Sequence, residues 1–273
     1  MIQKEKSLRV TIAGYGSIGR YVEKVLEQVC DTSLYDPPMG LGSEEDLRDC
    51  DFVFICVPTP STSEGACDVG LVEQVVNLAS PRVAVVCHST VAIGTTERLI
   101  RESGKPIVFV PEFAGESGIH PYSNPANRSF FIVGGHEPQA PLVVDLLKSA
   151  YGSEKIYRVV EPTVAEMVKY MSNTFLATKV AFCNEFHDLA KLAGVDYEEL
   201  RALWLLDQRV STSHTIVTPE RGFGGKCLPK DLAAVCVTAR EFGSPMGLLE
   251  AVEQANNRHR SLASTRLTEA RLT

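Results

Sequence analysis

The feature that most constrains the fold of this chain is a strand, a glycine-rich turn and a helix near its N-terminus. Residues 8–13 have the pattern of a buried strand, and residues 20–29 have that of a helix. The glycines between them permit a tight turn, close approach of a pyrophosphate to the backbone, and packing of the helix against the strand. This arrangement predicts a dinucleotide whose phosphates rest on the helix N-terminus, with a purely structural turn as the alternative. The predicted contacts are Gly14, Tyr15, Gly16, Ser17, Ile18 and Gly19.

A second predicted strand, residues 32–35, ends in Asp36. An acidic side chain at this position can accept hydrogen bonds from the ribose hydroxyls of a dinucleotide. No basic residue follows Asp36 directly to hold a 2′-phosphate. The sequence therefore predicts NAD as the cofactor rather than NADP.

Strands and helices continue to alternate as far as residue 160. This alternation predicts an α/β fold with a Rossmann-like, doubly wound, mostly parallel sheet. Further strands are expected at 51–57, 83–87, 107–110, 130–134 and 155–160, and helices at 69–79, 95–102 and 138–150. Ligands of such sheets bind at the carboxyl ends of the strands. Cofactor contacts are therefore also expected at Val57, Pro58, Thr59, Ser89 and Thr90.

The character of the chain changes after residue 160. Residues 163–193 contain no Gly or Pro and carry apolar residues at helical spacing, which predicts one long helix that ends at Gly194. We therefore expect an NAD-binding domain at 1–160 and an all-helical domain at 161–273, with further helices at 197–207, 228–242 and 246–261. The apolar face of the long helix is wide enough to serve both the core and a partner, so a homodimer formed through 163–193 is expected.

The composition of the chain excludes several classes of protein. The net charge of −7 and the pI near 5.5 argue against binding to nucleic acid or to anionic membranes. No apolar run reaches membrane-spanning length, and the N-terminus lacks the apolar core of a signal peptide, which predicts a cytoplasmic protein. The eight cysteines and six histidines are scattered without the spacing of a zinc site, so no metal is expected.

The segment from Gly222 to Asp231 is a candidate site for a nucleophile. It reads Gly-Phe-Gly-Gly-Lys-Cys-Leu-Pro-Lys-Asp, so Cys227 follows the glycines, and Lys230 and Asp231 lie three and four residues further on. Glycines let the backbone approach a ligand closely, and a nearby carboxylate can handle protons in a later hydrolysis. A glycine-rich turn that buries its cysteine is the alternative.

Several short motifs lie along the chain between the glycine turn and the Cys227 segment. They are Phe54-Ile55-Cys56-Val57-Pro58-Thr59-Pro60, Ser89-Thr90-Val91, Pro111-Glu112-Phe113-Ala114-Gly115-Glu116, Asn127-Arg128, Ala165-Glu166-Met167-Val168-Lys169-Tyr170, Asn173-Thr174-Phe175-Leu176-Ala177, Asn184-Glu185 and Asp207-Gln208-Arg209-Val210. From about residue 8 to about residue 260, the chain resembles the UDP-glucose/GDP-mannose dehydrogenase family.

The resemblance implies that a primary alcohol on a nucleotide sugar, with a UDP-hexose favoured, is oxidised to a carboxylate with two NAD. Cys227 attacks the intermediate aldehyde to give a thiohemiacetal, and a second hydride transfer leaves a thioester for water to hydrolyse. The residues that match the family's catalytic positions are Cys227, Lys169, Asn173, Asp231, Glu112, Glu116 and Thr90.

The family's residue roles carry over to this sequence as expectations. Lys169 and Asn173, one helical turn apart, match groups that stabilise negative charge on the reacting oxygen. The sequence does not divide the role of base among Glu112, Glu116, Lys169 and Asp231. Arg209 matches an arginine that reaches the substrate across a dimer. The expected substrate contacts are Glu112, Phe113, Ala114, Lys169, Asn173, Arg209, Phe223, Gly224, Gly225 and Cys227, and Glu116 and Lys230 complete the expected cofactor contacts.

The chain also departs from the family. Relatives usually continue into a second nucleotide-binding domain that grips the nucleoside diphosphate, so a second polypeptide that supplies this domain is one expectation. Arg221 and Lys226 add positive charge near Cys227, either to replace lost diphosphate contacts or as solvated loop charges. Two other functions stay open. One is a single oxidation of the hydroxyacid or 6-phosphogluconate type, in which Cys227 is unnecessary, and the other is a non-catalytic NAD-binding partner.

Overall fold

The computed structural model describes residues 8–113, 122, 124 and 127–272, with side chains as far as residue 264. These residues form two compact units. The first comprises the described residues up to Thr62 together with Cys67–Lys169, and the second comprises Ser63–Ala66 and the chain from Tyr170 onward.

The first unit is built on a seven-stranded sheet. The strands are β1 (Arg9–Ala13), β2 (Asp31–Tyr35), β3 (Phe52–Ile55), β4 (Ala84–Cys87), β5 (Ile107–Phe109), β6 (Phe130–Gly134) and β7 (Ile156–Val160), in the spatial order β2-β1-β3-β4-β5-β6-β7. All neighbouring strands are parallel except β5 and β6. The expected Rossmann-like α/β fold with a mostly parallel sheet is confirmed.

Helices cover both faces of this sheet. They are α1 (Ser17–Leu26), α2 (Gly70–Leu78), α3 (Thr95–Ser103) and α4 (Gln139–Tyr151), and a short 3-10 helix occupies Pro37–Met39. Phe52 and Phe54 of β3 pack in the apolar layer with α1 and α4, whereas Val53 and Ile55 pack in the layer with α2 and α3. Because every residue of a central strand is buried on one face or the other, these strands are continuous apolar runs.

The second unit is helical. Its helices are α5 (Pro162–Ala193), whose first two turns belong to the first unit, α6 (Tyr197–Trp204), α7 (Leu228–Glu241) and α8 (Gly247–Leu272). The long helix α5 is confirmed and gives way to Gly194, which has a φ of +70°. Helix α8 is longer than the sequence pattern predicted because no Gly or Pro follows Gly247 to end it. None of the helices among the described residues combines the length and the apolar character that a membrane span needs.

One side of α5 carries an apolar stripe that is exposed to solvent. Its members recur mostly at intervals of three or four residues and therefore lie along one side of the helix. They are Val164, Met167, Met171, Phe175, Phe182, Phe186, Leu189 and Leu192.

Candidate functional site

The glycine turn of the first unit has the close contacts that the dinucleotide fingerprint requires. At Gly14, whose φ is +93°, a Cβ would lie 2.8 Å from backbone atoms of Cys56 and Val57. A Cβ at Gly19 would lie 2.0 Å from the carbonyl oxygen of Gly14. A Cβ at Gly16 would meet no atom within 4 Å, so the backbone there faces open space. Two glycines are thus required by packing, and the third leaves room for a ligand to approach.

The helix that follows the turn provides the second part of a phosphate site. Ser17 and Ile18 begin α1, and the side chain of Ile18 packs against the apolar layer. Ile18 therefore has only backbone groups to offer a ligand. The first N–H groups of a helix lack intrahelical acceptors and carry partial positive charge, which suits a pyrophosphate.

Asp36 lies directly after β2, as expected, and it also organises the turn. Its Oδ2 accepts a hydrogen bond from the backbone N–H of Tyr15 at 2.7 Å, and its Oδ1 accepts one from Met39 N–H at 3.3 Å. A carboxylate oxygen can accept more than one hydrogen bond, so both oxygens retain capacity for ribose hydroxyls. The sequence analysis missed this structural role, although an acid followed by two prolines is typical of the start of a short helix.

The loops after β3 and β4 lie at the carboxyl edge of the sheet, as predicted, and hydrogen bonds join them. Thr59 Oγ1 donates to the carbonyl oxygen of Thr90 at 2.7 Å, and Ser89 Oγ donates to that of Val57 at 2.7 Å. Pro58 lies between Val57 and Thr59, which take part in these two hydrogen bonds. The predicted contacts Val57, Thr59, Ser89 and Thr90 therefore share one hydrogen-bonded region.

Glu166 of α5 fixes the segment that follows Ser89 and Thr90. Its carboxylate accepts hydrogen bonds from Gly94 N–H at 2.5 Å, Thr96 N–H at 2.8 Å and Thr96 Oγ1 at 2.6 Å. Burial raises the pKa of Glu166, and these three hydrogen bonds oppose that increase. The sequence motif included Glu166 without a role, and the structure shows that it caps the N-terminus of α3.

Glu112, Phe113 and Lys169 lie together in the first unit. Lys169 Nζ donates to the backbone carbonyl of Glu112 at 2.7 Å and lies 5.1 Å from the centre of the Phe113 ring. Glu112 Oε1 accepts from Phe113 N–H at 2.7 Å. The other expected contacts on this loop, Ala114 and Glu116, lie outside the described residues.

Arg128 is a partner of Glu112 that the sequence analysis did not identify. Its Nη1 lies 2.8 Å from Glu112 Oε2, and the two side chains are 0% and 3% exposed. Its Nη2 and Nε donate to the carbonyl oxygens of Pro111 at 2.9 Å and Phe130 at 3.0 Å. The guanidinium also lies 4.0 Å from the centre of the Phe131 ring. Arg128 therefore holds the carboxylate of Glu112 and connects the residues after β5 to the start of β6.

The second unit brings together Cys227, Asn173, Lys230 and Asp231. Cys227 is exposed and occupies the N-cap position of α7, and its carbonyl accepts the Asp231 N–H at 2.9 Å. Asn173 Nδ2 donates to Asp231 Oδ2 at 2.5 Å, and Lys230 Nζ lies 2.6 Å from Asp231 Oδ1. Asp231 is buried and its carboxylate is held by these two contacts, whereas Cys227 is exposed. The alternative of a cysteine buried by the turn is wrong.

Two arginines of this unit lie in contrasting surroundings. The Arg209 side chain is 90% exposed and pairs with Asp207 at 2.6 Å, on the surface of the unit. Arg221 is buried, with Nη2 2.8 Å from Asp188 Oδ1 and Nε 2.7 Å from Asn184 Oδ1. Neither interpretation of Arg221 from the sequence is right, because its guanidinium is neither a solvated loop charge nor open to a diphosphate. Lys226 is exposed.

Comparisons with known proteins agree with this geometry. Residues 17–161 match the NAD binding domain of the UDP-glucose/GDP-mannose dehydrogenase family, and residues 163–258 match the central domain of that family. The chain is 33% identical to UDP-glucose 6-dehydrogenase of Pseudomonas aeruginosa, over 82% of this chain and 52% of that protein. It is 32% identical to GDP-mannose 6-dehydrogenase of the same organism, over 77% of this chain and 52% of that protein.

The fold is shared with a solved structure. A UDP-glucose dehydrogenase from Pyrobaculum islandicum has a TM-score of 0.82 to this chain at 24% identity, over 94% of this chain and 70% of that one. The chain spans about half the length of the two Pseudomonas relatives.

Proposed function

Because this chain belongs to the UDP-glucose/GDP-mannose dehydrogenase family, we propose that it oxidises the primary alcohol of a nucleotide sugar to a carboxylate. NAD, when bound, accepts a hydride in each of two oxidations. The glycine turn, the N-terminus of α1 and Asp36 fit this cofactor, because they offer close backbone approach, N–H groups for the pyrophosphate and acceptors for the ribose. UDP-hexoses and GDP-mannose are the substrate classes that the relatives suggest.

The exposure of Cys227 at the N-terminus of α7 is the observation that carries the proposal. The thiol adds to the aldehyde from the first oxidation and gives a thiohemiacetal. Loss of a hydride and a proton converts this adduct to a thioester, and water then releases the acid and restores the thiol. The balanced reaction consumes one alcohol, two NAD and one water.

Asn173 and Asp231 suit the hydrolytic half of this route. The buried carboxylate of Asp231 lies one helical turn after Cys227, where it can accept a proton from the attacking water. Asn173 orients that carboxylate through its 2.5 Å hydrogen bond. Lys169 is assigned to stabilising the oxyanion. Glu112, whose carboxylate is held by Arg128, is assigned to positioning the substrate and Lys169 rather than to the role of mobile base.

The test measures the stoichiometry of oxidation. Purified protein is incubated with NAD and UDP-glucose, a UDP-N-acetyl sugar or GDP-mannose, and both NADH and the acid product are measured. We expect two NADH for each acid, and we expect Cys227→Ser to lose the second oxidation. Cys236→Ala is a matched control, because this buried cysteine lies further along the same helix.

Other outcomes would select the alternatives. One NADH per turnover, with full activity in Cys227→Ala, indicates a single-step dehydrogenase. Binding of NAD without NADH production on any of the sugar nucleotides indicates a non-catalytic NAD-binding protein. Either result refutes the thioester route.

The apolar stripe on α5 supports a homodimer formed through this helix. Aromatic and long aliphatic side chains on one exposed side are typical of an association surface. We expect sedimentation to give twice the mass of the chain. Phe175 is 65% exposed, and we expect Phe175→Glu to give a monomer. A monomeric wild-type protein would contradict the dimer. The proposal also includes a second polypeptide that supplies further nucleotide contacts. It places the protein in the cytoplasm, where the eight free cysteines stay reduced.

A further inference from the structure

The backbone just before Cys227 is held by asparagine side chains from two helices. Phe223 N–H donates to Asn256 Oδ1 of α8 at 2.6 Å, and Asn256 Nδ2 donates back to the carbonyl oxygen of Phe223 at 3.0 Å. The side chain of Asn256 thus pairs with both polar groups of one residue, as a neighbouring strand does. Phe223 and Asn256 are each 4% exposed, so solvent does not compete for these bonds.

A second asparagine, from α5, holds the two residues before Phe223. Asn184 Oδ1 accepts from Gly222 N–H at 3.1 Å and from Arg221 Nε at 2.7 Å. Arg221 Nη2 also donates to the Asn184 backbone carbonyl at 3.1 Å. Asn184 is 1% exposed. Three consecutive residues of the loop are therefore fixed by two buried amide side chains.

The backbone conformation of this segment requires such support. Arg221 has a φ of +55° and Gly222 a φ of +61°, so two consecutive residues lie in the left-handed region. This region is unfavourable for a residue that carries a Cβ, and it persists where the surroundings fix it. At Arg221 the surroundings are Asn184 and Asp188, which bind the guanidinium.

The glycines of the segment serve two different purposes. A Cβ at Gly222 would lie 2.3 Å from Asn256 Oδ1, and one at Gly224 would lie 2.7 Å from Arg260 Nη1, so these glycines allow the loop to lie against α8. A Cβ at Gly225, whose φ is +74°, would meet no atom within 4 Å. Among these three glycines, Gly225 is the one that leaves open space for a ligand.

From these contacts we propose that Asn184 and Asn256 are positioning residues for the nucleophile. They hold residues 221–223 against α5 and α8. The start of the segment that leads to Cys227, at the N-terminus of α7, is thereby fixed. The effect on catalysis rests on the proposed function, whereas the effect on the loop does not.

The first measurement is hydrogen exchange of the loop amides, which needs no substrate. Asn256→Leu removes both bonds to Phe223, and we expect exchange in residues 219–226 to be about 10-fold faster or more, because each lost bond contributes to protection. Asn256→Asp keeps the acceptor but loses the donor, so it should have an intermediate effect. Asn257→Leu is the matched control, because Asn257 is the exposed neighbour on the same helix.

The second measurement separates positioning from a general loss of structure. We expect Asn184→Leu and Asn256→Leu to lower kcat about 10-fold or more while the Kd for NAD stays within about twofold of wild type. Asn184→Asp retains an acceptor for Gly222 and Arg221 and should restore kcat. If Asn184→Leu or Asn256→Leu does not fold, Asn256→Asp and Asn184→Asp still provide the comparison.

The outcomes distinguish the two proposals. Unchanged exchange and unchanged kcat in Asn256→Leu would overturn the positioning role. If the wild-type protein makes no NADH, the proposed function is refuted, and faster exchange in Asn256→Leu would still support the hold on the loop. Lower kcat without faster exchange would also overturn the inference, because the loop would then be held by other contacts.

Discussion

The buried pair of Glu112 and Arg128 offers the sharpest test of the energetics in the first unit. In Arg128→Met, an apolar chain of similar length remains against Phe131, but the guanidinium is lost. The carboxylate of Glu112, 3% exposed, then loses its cationic partner, and the carbonyls of Pro111 and Phe130 lose a donor. Removal of one partner of a buried ion pair costs about 3–5 kcal/mol. At roughly 2–4 °C for each kcal/mol, the melting temperature should fall by about 6–20 °C.

The assay is thermal unfolding followed by circular dichroism, together with a double-mutant cycle. Glu112→Gln removes the negative charge while preserving the shape of the side chain. In the Glu112→Gln background, Arg128→Met no longer leaves a buried charge, so the double variant should be more stable than the sum of the two single effects by about 0.5–3 kcal/mol. Trp204 of α6 is the single tryptophan, and its fluorescence reports on the second unit as a control. A cost of less than about 1 kcal/mol for Arg128→Met would refute the reasoning.

Three further predictions concern other contacts. Gly14→Ala places a Cβ 2.8 Å from backbone atoms at a φ of +93°. Titration calorimetry should therefore show a loss of about 10-fold or more in NAD affinity. The control Gly247→Ala, where a Cβ meets no atom within 4 Å, should bind NAD normally. Glu166→Gln replaces an acceptor oxygen with an NH2 group that faces N–H donors. Urea unfolding should show that the free energy of unfolding falls by about 1–3 kcal/mol. The control Glu161→Gln, at an exposed position, should not cause this loss. Burial, and then Arg221, lower the pKa of His259, which also faces Asp188, Arg258 and Glu185. Because the pKa of His259 is lower in the folded chain, the unfolded chain binds more protons below about pH 6.5, and stability should fall as the pH drops below that value. His259→Leu should reduce this slope in melting temperatures measured from pH 7.5 to 5.5, and an identical slope would contradict the assignment.

The sequence was sufficient for the parts of the fold that depend on local pattern. The strands of the sheet are short apolar runs separated by turns and helices, and the absence of Gly and Pro from 163–193 correctly indicated one long helix. The glycine turn and Asp36 could be placed because strand, turn and helix are adjacent in the chain. The end of α8 was missed because no residue there breaks a helix and the apolar pattern weakens.

The parts that could not be predicted depend on pairs of residues far apart in the sequence. Arg128 meets Glu112 from 16 residues later in the chain, and Arg221 meets Asn184 of α5 from a loop 37 residues later. A charged residue in a loop has the same sequence signal whether it is solvated or buried with a partner. The burial of Arg221 is therefore a result of tertiary packing, and no local signal distinguishes it from the exposed Lys226.

The two hydrogen bonds that Asp36 accepts have a consequence for cofactor engineering. Replacement of the acid after β2 by a small polar residue is the natural way to admit the extra phosphate of NADP. In this protein the same carboxylate holds Tyr15 N–H at 2.7 Å and Met39 N–H at 3.3 Å. A change of cofactor preference here is therefore coupled to a looser glycine turn, and a successful redesign must replace those two acceptors as well as remove the charge.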